Sequence, residues 1–345
     1  MRSANMTAAE VSLQVNLHPL DAPHVAYTLP HQIRALGPQV GQVLLTVDLH
    51  RSQGSRYRIE DYDQKLKSLQ DTLDRIAAAE PKVKIVEVDY TPPAMRRVAR
   101  DFLGQDFIPK KAHNGSPFYA YLFGVHAASG DYVIHLDSDM LFGGGSHTWV
   151  GEALEKMAQD PSIIACNPLA GPPASDGSLH SQSARRLAAP YPAYSFPSVS
   201  TRIFLMDKRP ILSGQWRIPL LQPGLSARVQ AFINYTPSCL ALEDSLSAMM
   251  VANGLSRLDF LGRAPGLWTL HPVYRTPAFY RELPRLIERI EAGDVPDQQR
   301  GHHDLNDSMF DWSEIRAQLT WRRKFKRRLQ YAASGLQERM RDLTR

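Results

Sequence analysis

Gly130-Asp131-Tyr132-Val133-Ile134-His135-Leu136-Asp137-Ser138-Asp139-Met140 reads as a strand with two carboxylates at its carboxyl end. Val133, Ile134 and Leu136 are strand formers, and the nearly continuous apolar run is the mark of a strand covered on both faces. Gly130-Asp131 starts it after a helix ending in Ala127-Ala128-Ser129, and Phe142-Gly143-Gly144-Gly145 ends it. Asp137 and Asp139 are two residues apart and share a face of a regular strand. Where the backbone turns at the strand end, both can converge on one divalent ion. Open α/β sheets bind ligands beyond the carboxyl ends of their strands. An acidic pair there suits Mg2+ or Mn2+, and through the ion a diphosphate. An isolated Asp-Xaa-Asp arises about once by chance in a chain of this length, and its plain reading is a solvated turn. The apolar strand before it and the glycines after it set this one apart.

Outward from that strand the chain alternates strands and helices. Val11 to Leu17 and Val43 to Asp48 are predicted strands, with a helix from His24 to Leu36 between them. Tyr62 to Ala79 carries Leu66, Leu69, Leu73 and Ile76 on one helical stripe, and Val83 to Val88 is a third strand. Thr91-Pro92-Pro93 signals a helix start, with a short helix from Met95 to Phe102. Helices over Pro117 to Ala128 and His147 to Gln159 flank the central strand, and Ile163 to Cys166 is another strand. This alternation predicts an α/β fold with a mostly parallel, doubly wound sheet.

The composition then changes. Pro168 to Pro197, rich in Pro, Ser, Gly and Ala, reads as one long loop, the kind that often forms a lid or binding loop. Val199 to Met206 is a strand, and Gln215 to Thr236 is proline-punctuated and reads as irregular. Leu242 to Ala252 is a helix stopped by Asn253-Gly254, and Arg257 to Leu261 a strand. Ala278 to Ala292 is a helix, and the chain is mainly helical from Asp307 onward.

The 345 residues are 43% hydrophobic and 22% charged, which is globular composition without a run long enough for a spanning helix. Met1 to Glu10 has no signal-peptide core. Cys166 and Cys239 sit in apolar contexts, as free thiols of a reducing cytoplasm do, and no zinc spacing exists. The formal charge of +5 is uneven: residues 321–345 hold nine Lys or Arg against two Asp or Glu, so the rest of the chain is slightly acidic. Trp321, Phe325, Leu329, Ala332, Leu336, Met340 and Leu343 recur at helical spacing opposite Arg322 to Arg328. Such a basic amphipathic helix either docks on the rest of the protein or a partner, or adsorbs to an anionic membrane surface. The second case would make the protein peripheral at the inner membrane face. No stacking or groove-reading motif supports nucleic acid binding.

The segment from Lys111 to Asp139 resembles the family 2 nucleotide-sugar glycosyltransferases, which have the glycosyltransferase A fold. The residues that carry the resemblance are Lys111, Gly115, Ala120, Gly124, Ala128-Ser129-Gly130-Asp131-Tyr132 and Leu136-Asp137-Ser138-Asp139. Leu242-Glu243-Asp244-Ser245-Leu246 is similar to the family's acidic segment before its acceptor-side helix. Trp268-Thr269-Leu270-His271 is similar to the place where many proteins of this fold supply a metal-binding histidine. The family usually follows its second strand with Asp-Asp-Gly-Ser, whereas Asp48 here is followed by Leu49-His50-Arg51. The resemblance implies a catalytic domain over residues 1–272, with a nucleotide-sugar half (1–167) and an acceptor half (168–272), and a helical extension over 273–345.

It further implies transfer of a sugar from a nucleoside-diphosphate sugar to a hydroxyl acceptor, whether glycan, lipid-linked or small molecule. Mn2+ or Mg2+ would be held by Asp139, Asp137 and His271 and act as a Lewis acid on the leaving diphosphate. Asp48 would meet the base or ribose, Asp137 the ribose or the ion, and Lys111 with Lys110 the diphosphate. Asp244 is the expected general base, with Glu243 as its fallback and inversion at the anomeric carbon as the outcome. The alternative for Glu243-Asp244 is a negative helix start that favours the dipole. His271 also reads as a histidine near a proline turn, and His135, mid-strand, as a core histidine. Arg185 and Arg186 could close over the phosphates from the long loop. Two other functions fit parts of the pattern: a phosphatase of the haloacid dehalogenase type, which carries its Asp-Xaa-Asp on the first strand, and a catalytically inactive nucleotide-binding module.

Overall fold

The computed structural model describes residues 10–52, 54, 58–180 and 184–343, and within the last helix it leaves the side chains of 324, 325, 327, 328, 338, 339, 342 and 343 undescribed. Phe325 and Leu343 of the predicted stripe therefore lie outside the described side chains.

The strands are β1 (Val11–Leu17), β2 (Gln42–Val47), β3 (Val83–Glu87), β4 (Tyr132–Asp137), β5 (Leu141–Gly143), β6 (Ile163–Ala170), β7 (Arg185–Arg186), β8 (Ala193–Phe196), β9 (Ile203–Asp207), β10 (Ser256–Phe260) and β11 (Trp268–Leu270). The helices are α1 (Ala22–Leu36), α2 (Tyr62–Ala79), α3 (Pro92–Leu103), α4 (Tyr119–Ala127), α5 (Trp149–Gln159), α6 (Arg209–Leu212), α7 (Leu225–Asn234), α8 (Leu242–Ala252), α9 (Pro277–Glu291), α10 (Ser313–Gln318) and α11 (Trp321–Leu343).

The main sheet runs β3-β2-β1-β4-β9-β6-β10-β8-β7. Along this path β9 and β8 run against the other strands. It is a mixed, mostly parallel sheet with helices on both faces, as the alternation predicts. The apolar faces of α1, α2 and α5 share one core with β1, β2 and β4. Those of α3, α4 and α8 share a second core on the opposite face. The chain builds β1, β2 and β3 outward, then returns to lay β4 on the other side of β1. That reversal opens a crevice at the carboxyl ends of β1 and β4, where ligands of open sheets bind.

Beyond β4 the strands differ from expectation. The segment from Pro168 to Pro197 is not one loop. β6 continues through Pro168 to Ala170, and β7 and β8 form an antiparallel edge on β10. Pro168 is tolerated because β6 leaves β10 there and passes to β11, where Leu169 donates to Leu267 O at 3.1 Å. Within the irregular stretch from Gln215 to Thr236 lies the ten-residue helix α7.

Leu141, Phe142 and the first glycine of the run, Gly143, form β5, paired antiparallel with β11. A Cβ at Gly143 would stand 2.0 Å from the Trp268 ring, so glycine allows the two strands to meet. This small sheet sits on a third core with Phe279, Leu283, Leu286, Ile287 and Ile290 of α9, and with Leu305 and Trp312. The segment after His271 is thus packed against the strand pair that carries His271.

α11 lies along α7, and a Cβ at its Gly335 would be 2.3 Å from Ile233 O. The helix docks through that glycine. Trp321, Leu329, Leu336 and Met340 remain exposed. No helix among the described residues is long and apolar enough to cross a membrane.

Candidate functional site

The acidic pair stands on the turn after β4, at the reversal point of the sheet. Side chains of α1 hold that turn from below. Gln32, fully buried, donates from Nε2 to Asp137 O at 3.2 Å and Met140 O at 3.0 Å. His24 Nε2 lies 3.0 Å from Ser138 Oγ, and His31 Nε2 accepts from the Phe142 N–H at 2.8 Å. A helix whose apolar stripe is Val25, Leu29, Ile33 and Leu36 therefore also buries a polar row, His24, Thr28, His31 and Gln32. The helical spacing of that row was the signal available in the sequence.

The two aspartates do different things. Asp137 Oδ1 accepts from the Tyr121 hydroxyl at 2.5 Å, and burial, together with the negative charge of Asp139, pushes its carboxyl up to about 7. Asp139 is buried, and its Oδ2 accepts from Arg275 Nε at 2.8 Å and lies 2.6 Å from Arg275 Nη2. Burial opposes ionisation of Asp139, but the Arg275 guanidinium outweighs it and holds the carboxyl below its usual range. Arg275 also lies 3.8 Å from Asp21, which itself accepts from the His18 N–H. Arg275 was not anticipated. It lies four residues beyond His271, just before the Thr276 cap of α9, and its partner is 136 residues away.

His271 follows β11 and stands between two carboxylates, with Nε2 3.5 Å from Asp139 Oδ2 and Nδ1 3.5 Å from Asp304 Oδ1. Asp304 in turn lies 3.4 Å from Arg202 Nη1. Asp139 Oδ1 is buried without a hydrogen-bond partner. A buried, unpartnered carboxylate oxygen beside an imidazole fits a hard divalent cation such as Mn2+ or Mg2+. Among the described residues no group of three His, Cys, Asp or Glu side chains converges as a full ligand cage. Asp139 and His271 are the two side chains that would suit such an ion, while Asp137 is turned to Tyr121.

A cavity of about 450 Å3 opens beside this turn, lined by Asn16, Asp48, Lys111, Tyr121, Asp137 and Arg275 among others. Asp48 and Lys111 are brought together there, but they pair with each other. Lys111 Nζ donates to Asp48 Oδ2 at 2.7 Å, while Tyr90 Oη and His50 N–H donate to Oδ1 at 2.7 and 2.9 Å. Burial disfavours the Asp48 charge, yet the Lys111 ammonium and these donors hold its carboxyl low. Asn16 at the end of β1 keeps a buried, unpartnered Oδ1 at the same cavity.

A second cavity, of about 400 Å3, lies across β9 at the carboxyl ends of β6 and β10. Asn167, Arg202, Glu243, Arg257, Asp259 and His303 line it. The line Arg202–Asp304–His271–Asp139 links it to the first. Glu243 reaches this cavity, its Oε2 accepting from the Thr201 N–H at 3.1 Å. Asp244, one residue on, turns back to accept from the Ala241 N–H at 3.1 Å and lines neither cavity. Asp244 thus makes the helix-start hydrogen bond, and Glu243 is the one of the two that lines the second cavity.

His135 is buried against Phe204 and Tyr121, with Nδ1 2.5 Å from Gln14 Oε1, and burial pushes it down to about 3, as a neutral core histidine. Arg185 and Arg186 lie on β7 at the far edge of the sheet, five strands from β4, or about 24 Å at ordinary strand spacing. They are not at the first cavity, because the segment that holds them is an edge strand. The acidic pair stands at the end of β4, not on the first strand, where the phosphatase alternative usually has it.

No family model matches the chain, and no curated protein matches it. Among solved structures, the chain is similar to S. aureus TarS residues 1–349, with 10% identity over 81% of this chain and 64% of that chain and a TM-score of 0.34. The chain thus spans less than two thirds of that TarS chain. It is also similar to glucosyl-3-phosphoglycerate synthase from Mycobacterium tuberculosis in complex with Mn2+, uridine diphosphate and glucosyl-3-phosphoglycerate, with 10% identity over 84% of each chain and a TM-score of 0.34.

Proposed function

We propose that the protein is a nucleotide-sugar glycosyltransferase, with the nucleoside-diphosphate sugar in the cavity at β1, β2 and β4 and a hydroxyl acceptor in the cavity at β6 and β10. The observation that carries this reading is the placement of two polar cavities on one sheet edge, either side of the Asp137-Ser138-Asp139 turn. In transfer, the bond from the anomeric carbon to the diphosphate oxygen breaks and the diphosphate leaves with the electron pair. The acceptor oxygen bonds to that carbon and gives up its proton. Asp139 and His271 would hold a divalent ion, which when bound supplies Lewis-acid compensation of the leaving charge. Arg275, already on Asp139, adds positive charge at the same place. Asn16 offers an unpartnered acceptor to the base or ribose, and the Asp48–Lys111 pair forms a neutral floor under it. Glu243 takes the acceptor proton on the side away from the diphosphate, which makes inversion the outcome.

Glu243→Gln tests this assignment. It keeps the side-chain shape and removes the base, so transfer should fall about 10²-fold or more while donor binding is unchanged. Asp244→Asn should leave transfer near wild type. A large loss in Asp244→Asn and none in Glu243→Gln would return the role to Asp244.

The same reading extends to a membrane. On the packed helices α11 and α7, Trp321, Leu329, Leu336 and Met340 and Leu225, Val229 and Phe232 are exposed apolar side chains, and α11 also exposes Arg322, Arg323 and Lys326. Exposed apolar and basic side chains on one helix suit an anionic bilayer carrying a lipid-linked acceptor.

A further inference from the structure

The second cavity carries more information about its ligand than its position does. Every positive charge in its lining is already balanced. Arg257 is buried and gives Nε and Nη2 to Asp259 at 2.7 and 3.1 Å, with its guanidinium 4.1 Å over the Phe196 ring. Arg202 lies against Asp304. Glu243 adds a further carboxylate, of which Oε2 is held by Thr201 and Oε1 has no partner among the described residues.

The polar atoms without partners are as telling. Asn167, 3% exposed, presents an unpartnered buried Oδ1, and His303 an unpartnered buried Nε2. Ser198, Ser200 and Thr269 add hydroxyls to the wall. A phosphate or carboxylate group needs an excess of donors and uncompensated positive charge. Here it would face the Glu243 carboxylate and the lone pairs of Asn167 Oδ1. A polyol supplies both donors and acceptors from each hydroxyl, and so satisfies a wall in which the two alternate. A buried acceptor left unmatched is costly, which makes such a wall selective for the ligand that carries the hydroxyl.

We infer that the cavity at the carboxyl ends of β6 and β10 binds an uncharged, polyhydroxylated acceptor, a neutral sugar unit, with Asn167 Oδ1 accepting from one of its hydroxyls. This rests on the reading of that cavity as the acceptor side. Phosphorylated or carboxylated sugars are excluded from it by the unbalanced carboxylate of Glu243.

Saturation-transfer NMR on the full chain tests it, with neutral methyl hexosides and disaccharides set against hexose 6-phosphates and hexuronates. Neutral sugars should bind, and their charged counterparts should bind at least tenfold more weakly. Asn167→Ala removes an oxygen with no partner of its own, so its unfolding midpoint should stay near wild type while neutral-sugar affinity drops about tenfold and nucleotide binding is unaltered. Tighter binding of the phosphorylated or carboxylated sugars, binding of none of the panel, or neutral-sugar binding indifferent to Asn167→Ala would each overturn the inference; the wild-type comparison decides even if the variant misfolds. A separate titration of uridine, guanosine, thymidine and cytidine diphosphates distinguishes the two failures. Nucleotide binding with an anion-preferring second cavity defeats the inference alone, whereas sugar binding at Asn167 without nucleotide binding defeats the transferase reading and leaves the sugar site.

Discussion

Replacing Lys111 by methionine isolates the buried charge at the floor of the first cavity. Lys111 and Asp48 are both buried, with 2.7 Å between Nζ and Oδ2. Removing one member of such a pair costs about 3–5 kcal/mol, because the other charge is left unpaired in a poor solvent. Asp48 would keep the Tyr90 hydroxyl and the His50 N–H on Oδ1, which places the loss near the lower end, about 3 kcal/mol. Protonation sets a ceiling. Raising a carboxyl from its unfolded value near 4 to pH 7 costs about 1.4 kcal/mol per unit, or about 4 kcal/mol in all.

The pH dependence has a definite sign. In the native protein the Asp48 carboxyl is held low, so its contribution is present above the unfolded carboxyl pKa and is lost as pH falls through the lower folded value. In Lys111→Met burial acts unopposed by the ammonium and the folded value rises above the unfolded one. The penalty then grows with pH and shrinks as the solution is acidified. Urea unfolding followed by tryptophan fluorescence should show a destabilisation of about 3 kcal/mol at pH 7, falling below about 2 kcal/mol at pH 5. A loss under about 1 kcal/mol that does not change with pH would refute the burial of this pair.

Two further outcomes are expected. Gln32→Ala removes two hydrogen bonds to the carbonyls of Asp137 and Met140 and should cost about 2 kcal/mol of stability. It should also weaken nucleotide binding without touching the cavity; unaltered binding would mean that the turn does not need α1 to hold its shape. The intact protein should co-sediment with vesicles containing anionic lipid and not with neutral ones. Changing Arg322, Arg323 and Lys326 to glutamine should reduce that by roughly 10²-fold, at about 1 kcal/mol per basic residue. Equal sedimentation with both vesicle types would remove the lipid reading of α11.

The parts of the fold legible in the sequence are those whose periodicity is strong and whose signals are local. β4 with its acidic turn, α2 and α8 fall where their apolar spacing puts them. β8 has four residues and no alternation, and it exists because β10 offers it an edge. Pro168 reads as a loop marker, yet the strand passes through it where it changes neighbours. α7 is hidden by Pro219, Pro223 and Pro237 around it. The site follows the same rule. Asp137, Asp139 and Asp48 announce themselves as carboxylates at strand ends. The direction of a carboxylate does not, and so Asp244 turns to its own helix start while Glu243 reaches the cavity. Arg275 was unreadable because nothing near it in sequence names Asp139 as its partner.

The central claim is that the crevice beside the acidic turn holds a nucleoside diphosphate. Calorimetric titration of uridine, guanosine, thymidine and cytidine diphosphates, with Mn2+, with Mg2+ and with chelator, tests it most directly. The account predicts that one nucleotide binds in a metal-dependent way and that Asp139→Ala abolishes this binding. Failure of every nucleotide to bind under all three conditions would contradict it.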